Sequence, residues 1–157
     1  MKQVYRALAY LIAAGVALQA AAIAYAVFGM FDWVSTGGTI DKALVETEDP
    51  VIGGITGFNL HQLVGVNIMP LLAVMFLISS FFAKIRSGII WALVVFGATL
   101  AQSLLGIFSH EIAGLGWLHG LWALVLFGCA VTAGMRVKRA VKTQAAEAET
   151  PAPAPVR

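Results

Sequence analysis

Residues 57–82 read GFNLHQLVGVNIMPLLAVMFLISSFF and contain no aspartate, glutamate, lysine or arginine. An uncharged run this long exceeds the ~20 apolar residues that an α-helix needs to cross a bilayer. Polar and apolar residues do not alternate in steps of two, so a transmembrane β-strand is not indicated. The stretch reads as a spanning helix. It also carries His61, and an ionisable side chain at membrane depth is costly to keep and by default marks a functional site.

Three further stretches of the same kind flank it, at about residues 7–31, 88–109 and 117–135. The 157-residue chain is 60% hydrophobic and only 11% charged, with a mean hydropathy of +0.87. A soluble domain of this size cannot hide so much apolar surface, so the class is integral membrane protein. Short connections between spans two and three, and between three and four, favour antiparallel neighbours. The expected fold is all-α: an up-down four-helix transmembrane bundle over residues 1–142. The sequence shows no convincing repeat. A net charge of +2 is too small to suggest a nucleic-acid partner, and the single Cys129 allows no intramolecular disulfide.

Orientation follows from the basic residues. Lys2 and Arg6 precede span one, Lys84 and Arg86 lie between spans two and three, and Arg136, Lys138, Arg139 and Lys142 follow span four. The opposite side carries Lys42 as its basic residue, beside Asp32, Asp41, Glu46, Glu48, Asp49 and Glu111. Both termini are therefore expected in the cytoplasm. Span one has a basic start and an Ala24-Tyr25-Ala26 triplet resembling a signal-peptide cleavage site, but its apolar core is longer than the usual ~7–15 residues. A retained helix is the expectation. The outer segment 32–56 is long and acidic, with a short surface helix expected within 39–49 and stopped by Pro50. Loops this long are uncommon without a role, which makes it a candidate lid or docking surface. Residues 143–157, rich in Ala, Pro and Glu, are expected to form a disordered tail.

Polar residues inside the spans locate the candidate site. His61 lies about one turn inside the outer end of span two, and His119 opens span four. In an up-down bundle these helices are diagonal, so the two imidazoles reach similar depth in a common interior. Gly57, His61 and Gly65 are spaced by four and share a face, which makes room for a flat, bulky group or for close helix packing. Thr99, Gln102, Gly106 and Ser109 form a stripe on span three, and Gln19, Gln62 and Asn67 add amides. Gln19, Gln102 and Asn67 are expected to make interhelical hydrogen bonds. Pro70 is expected to kink span two and free the Val66 carbonyl.

Two imidazoles on opposite helices with apolar walls suit a b-type haem. His61 and His119 would be the axial ligands. Gly57 and Gly65 would give space, Phe58, Val64, Leu118 and Trp122 would wall the ring, and Gln102, Ser109 and Asn59 would orient the imidazoles. No arginine lies nearby for the propionates. A weaker alternative is a zinc or copper site of His110, Glu111 and His119, although position 114, where a helical His-Glu-x-x-His motif needs its second histidine, is Gly114. Ser109, His110 and Glu111 are contiguous and cannot easily form a catalytic relay. The sequence offers no paired intramembrane carboxylates and no phosphate-binding glycine loop, and it names no catalytic residue.

The stretches Asn59-Leu60-His61-Gln62-Leu63-Val64-Gly65 and Trp117-Leu118-His119-Gly120-Leu121-Trp122 resemble segments of a group of small four-helix bacterial membrane proteins of unknown function. The resemblance covers roughly residues 5–136. It implies the fold and no reaction. There is also a loose likeness to one half of haem A synthase, whose second and fourth helices carry outer-side histidines where His61 and His119 stand. Gln62 and Gly120 stand where that family has arginine, and Asn59 and Leu60 where it has an acidic residue, so its reaction is not implied. The functional expectation is a haem b protein of the bacterial inner membrane. It would transfer electrons near the outer leaflet to or from a quinone or a larger membrane complex. The alternative is a cofactor-free accessory subunit of such a complex.

Overall fold

The computed structural model describes the backbone of residues 1–46 and 53–149, and the side chains of residues 1–44 and 54–137. Among the described residues six α-helices occur in chain order: α1 (Lys2–Ser35), α2 (Lys42–Glu46), α3 (Gly53–Leu63), α4 (Met69–Ala83), α5 (Gly88–Phe108) and α6 (Leu115–Glu149). A π turn, Val64–Ile68, joins α3 to α4 in one rod. Four rods are long and apolar enough to cross a membrane. The protein is a multi-pass four-helix membrane bundle.

Around the bundle, α1 packs on α3, α4 and α6, while α5 packs on α4 and α6. The α3–α4 rod and α6 are therefore diagonal, as the short connections predict. The end holding Met1 and the turn 84–87 is called here the near end, and its opposite the far end.

The near half is solid. Tyr5, Ile12, Phe76, Val95 and Leu126 are fully buried. The Tyr5 hydroxyl donates to the Gly88 carbonyl at 3.1 Å, and its ring lies 4.4 Å from that of Phe76, centroid to centroid. Ala9, Ala73, Ala92, Ala130 and Ala133 are also buried. Small side chains at these positions let the backbones approach, which is how helices gain dispersion energy where lipid offers no hydrophobic drive.

The far half divides into two pairs. In the first, α1 meets α3 backbone to backbone: a Cβ on Gly57 would lie 2.6 Å from the Ala22 carbonyl oxygen, and one on Gly54 would lie 2.5 Å from that of Ala26. In the second, α5 meets α6, where Trp122 Nε1 donates to the Ala98 carbonyl at 3.0 Å. Here α3 does not pack along α5, although α4 does.

The rod diverges at the π turn. The Met69 amide donates to the Val64 carbonyl, five residues back, and Pro70 has no amide hydrogen to donate. In this wider register the acceptor left without a backbone donor is the Gly65 carbonyl, one residue before the expected Val66. The Ser103 hydroxyl of α5 donates to it at 3.2 Å. The π turn thus absorbs the proline that the sequence reading expects to act through a simple kink. Asn67 also differs from expectation: its Nδ2 donates to Leu63 of its own helix at 3.1 Å, and the residue is exposed on the surface of the span.

At the far end, Thr36 and Ser35 hydroxyls cap the last carbonyls of α1, and Gly37, at φ +95°, turns the chain back. Trp33 Nε1 donates to the Thr39 carbonyl at 3.1 Å. Asp41 Oδ1 accepts the Leu44 amide at 2.8 Å and so caps α2, which falls within the expected 39–49. Pro50 lies outside the described residues. Helix α6 runs through residues 143–149, where a disordered tail is expected. Residues 144–149, Gln-Ala-Ala-Glu-Ala-Glu, are all good helix formers. Residues 150–157 lie outside the described residues.

Candidate functional site

A cavity of about 650 Å³ occupies the far half between the two helix pairs. Ligand pockets commonly run ~300–1,000 Å³. Its floor is Val16, Met69, Thr99 and Leu126, and Met30, Trp33 and Leu44 border it toward the far end, with His110 and Gly116 exposed at its rim. Its polar groups come from Gln19, Asn59, His61, Gln62, Gln102, Ser103, Ser109, His110 and His119.

The two histidines face this space from diagonal helices, with ring centroids 6.0 Å apart and ring planes at 69°. Each is held in the same way. His61 Nδ1 lies 3.1 Å from the Gln19 carbonyl oxygen of α1, and His119 Nδ1 lies 3.1 Å from the Gln102 carbonyl oxygen of α5. A carbonyl only accepts, so both contacts assign the proton to Nδ1 and leave the lone pair on Nε2. Each helix pair therefore carries one glutamine on its first helix and one histidine on its second, joined by the same bond. Helix pair α1–α3 repeats the device of α5–α6.

Gln102 makes a second contact with His119. Its Nε2 is 3.2 Å from both ring nitrogens. An in-plane position equidistant from both would overlap ring carbons, so the amide lies over the ring face. The in-plane Nε2 lone pair of His119 is not taken by it. Gln102 Oε1, and both Gln19 Oε1 and Nε2, are buried without a hydrogen-bond partner. A buried amide left unmade costs about 1–3 kcal/mol. Gln102 thus reaches across from α5 to α6 through Nε2, as the sequence reading expects, whereas the Gln19 amide, also expected to bond between helices, makes no hydrogen bond among the described residues.

Several expected site residues move. Gly65 does border the cavity, where a Cβ would lie 3.1 Å from Gln19 Nε2. Gly57 does not; it serves the α1–α3 contact. Trp122 does not either, because its indole is turned onto α5. Phe58 and Asn59 border the cavity, but Val64 and Leu118 do not. Ser109 borders it with its hydroxyl returned to the Leu105 carbonyl at 2.6 Å, so it orients no imidazole. His110 sits at the rim and is exposed, as is Glu111. Among the described residues no group of three His, Cys, Asp or Glu is arranged to hold a metal ion, which leaves the His110–Glu111–His119 alternative without support. Two features escape the sequence reading. Ser103 is one of several serines with nothing to mark it. The anchoring carbonyls belong to the backbone, which has no sequence signature. Gly106 was one of a polar stripe, and its specific role is to admit the imidazole: a Cβ there would lie 3.0 Å from His119 Cε1.

No protein-family model, curated protein or solved structure matches this chain.

Proposed function

We propose that the protein is a b-type haem protein of the bacterial cytoplasmic membrane, with His61 and His119 as the two iron ligands and both termini in the cytoplasm. The observation carrying this reading is the matched pair of Nδ1–carbonyl bonds. Metal-ligating histidines almost always donate their other ring N–H to a carbonyl or carboxylate, which fixes tautomer and orientation and raises basicity. The 6.0 Å centroid separation suits two imidazoles on a shared metal, since each metal–nitrogen bond takes about 2 Å and each ring adds its half-width. The cavity volume suits a planar macrocycle, and Gly65 keeps its wall free of a side chain.

A haem between two imidazoles supplies one-electron oxidation and reduction. The chain's own contribution is positional. Gln19 and Gln102 carbonyls orient the imidazoles, and Gly106 lets His119 approach α5 closely. No lysine or arginine borders the cavity among the described residues, so Asn59, Gln62 and His110 are the polar groups on hand for propionates. The electron partner would be a quinone or a neighbouring membrane complex, with the acidic far-end loop as a docking surface for a basic partner. One observation favours the second reading, an accessory subunit. Asn67 is an amide exposed on a membrane span, and such groups mark helix–helix contacts.

The test is an optical spectrum of protein purified in detergent from haem-supplied cells, oxidised and then reduced with dithionite. A Soret band with sharp reduced α and β bands, lost in both His61→Ala and His119→Ala, is expected. A flat visible spectrum from folded, haem-supplied protein would sink the haem reading and leave the accessory subunit.

A further inference from the structure

The cavity is walled unevenly. Its residues on α1 (Val16, Gln19, Ile23, Met30 and Trp33) are all buried or half-buried. On the α3–π rod, Phe58, Asn59, Gln62 and Val66 border the cavity and are exposed at once, and so are Ile107 on α5 and, at the far end, His110 and Gly116. A residue that meets both the cavity and the surface marks an opening. One opening therefore lies between the far half of rod two and α5, where α3 does not pack along α5. Its lower edge is the Ser103–Gly65 bond, just above the level at which α4 and α5 come together. Both jambs belong to spans long and apolar enough to cross a membrane, so the opening faces lipid rather than water. At the far end Trp33 and Leu44 border the cavity beside a second opening, marked by His110 and Gly116.

We propose that this flank is a lateral door, through which the site takes its ligand directly from the bilayer, and that the ligand is accordingly an amphiphile that partitions into lipid. For haem this rests on the preceding reading; the door itself does not. The Pro70–π-turn device has a purpose in this scheme. It swings the far half of rod two toward α1 and away from α5, and Ser103 satisfies the carbonyl that the divergence strands. The unmet amides of Gln19 and Gln102 lie behind the door and meet whatever passes it.

The test uses full-length protein in lipid nanodiscs with Cys129→Ser and Ser103→Cys as the single labelling site. A lipid-soluble maleimide should label Ser103→Cys about tenfold faster than a sulfonated, water-soluble one. Adding Val66→Trp, at an exposed jamb, should slow the lipid-soluble reagent by about tenfold, and should slow haem uptake from haemin-doped vesicles similarly. Leu124→Trp, on the exposed face of α6, should change neither. Ile107→Trp on the other jamb repeats the test should Val66→Trp not fold. Labelling that favours the water-soluble reagent, or that ignores both tryptophan plugs, overturns the door. The expected labelling pattern with no Soret band at all would uphold the door and sink the haem reading.

Discussion

The near and far halves of this bundle use the same four helices and the same apolar alphabet, yet one is packed solid and the other is hollow. In the near half every rod contributes to one core around Tyr5, Ile12, Phe76, Val95 and Leu126. In the far half the rods part into two pairs, and the space between holds two imidazoles and three unpartnered amide atoms. The difference shows where stability and chemistry reside. The near half secures the bundle, and this allows the far half to carry buried polar groups that no self-contained core would tolerate.

The largest effect that would separate the two is in the near half. Phe76→Ala removes a fully buried ring that packs at a tilt against Tyr5. Buried aromatic-to-alanine changes cost about 3–5 kcal/mol in water-soluble cores. Lipid replaces water as the alternative surroundings here, which puts the expectation at about 3 kcal/mol. Reversible unfolding in mixed micelles would measure it, and the ligand spectrum of the remaining folded protein should be unchanged. A spectrum lost in proportion to nothing but the fold would keep the halves separate; a shifted spectrum in folded protein would join them.

The next effect sharpens the comparison within the far half, between two glycines that look alike in the sequence. A Cβ at position 57 would sit 2.6 Å from a backbone oxygen of α1, whereas one at 65 would meet only the tip of the Gln19 side chain, at 3.1 Å. Gly57→Ala should therefore push α1 and α3 apart and cost about 2 kcal/mol, within the range for overpacking. It should also loosen the His61–Gln19 anchor and, on the haem proposal, broaden the Soret band. Gly65→Ala should cost under about 0.5 kcal/mol, because a side-chain end can rotate away. Equal losses would show that the pair contact is not what holds the far half.

How much of this was legible before folding follows from the same residues. The four spans are plain from charge-free length, and the diagonal meeting of His61 and His119 follows from short connections and depth. The division of labour between Gly57 and Gly65 is not, because eight residues of α-helix drift by about 80°, enough to turn one toward α1 and leave the other at the cavity. Trp122 escapes for a similar reason, lying about 60° round the helix from His119. The stranded carbonyl was expected at Val66 because a proline is read against an α-helical register. The π turn moves it to Gly65, because the five-residue register in which Met69 bonds Val64 shifts the acceptor that Pro70 leaves open by one residue. Helix α6 outruns its apolar span because helix propensity continues through 143–149 where hydropathy stops.

The smallest effect tests whether the near end is independent of the site. The turn between α4 and α5 holds two non-glycine residues in the left-handed region, Lys84 at φ 50° and Ser87 at φ 60°. An L-residue there costs about 1–2 kcal/mol. The Ser87 side chain makes no capping hydrogen bond in return. Glycine has no Cβ to strain but loses about 0.5–1 kcal/mol more chain entropy on folding, so Ser87→Gly should stabilise by about 0.5–1 kcal/mol. Its unfolding midpoint should rise, with the visible spectrum and the rate of haem uptake unmoved. The site lies in the far half, beyond the solid core, and a turn at the opposite end can reach it only by shifting that core. A change in the spectrum would mean that the core transmits strain along α5 to Gln102, and the two halves would then be one mechanical unit.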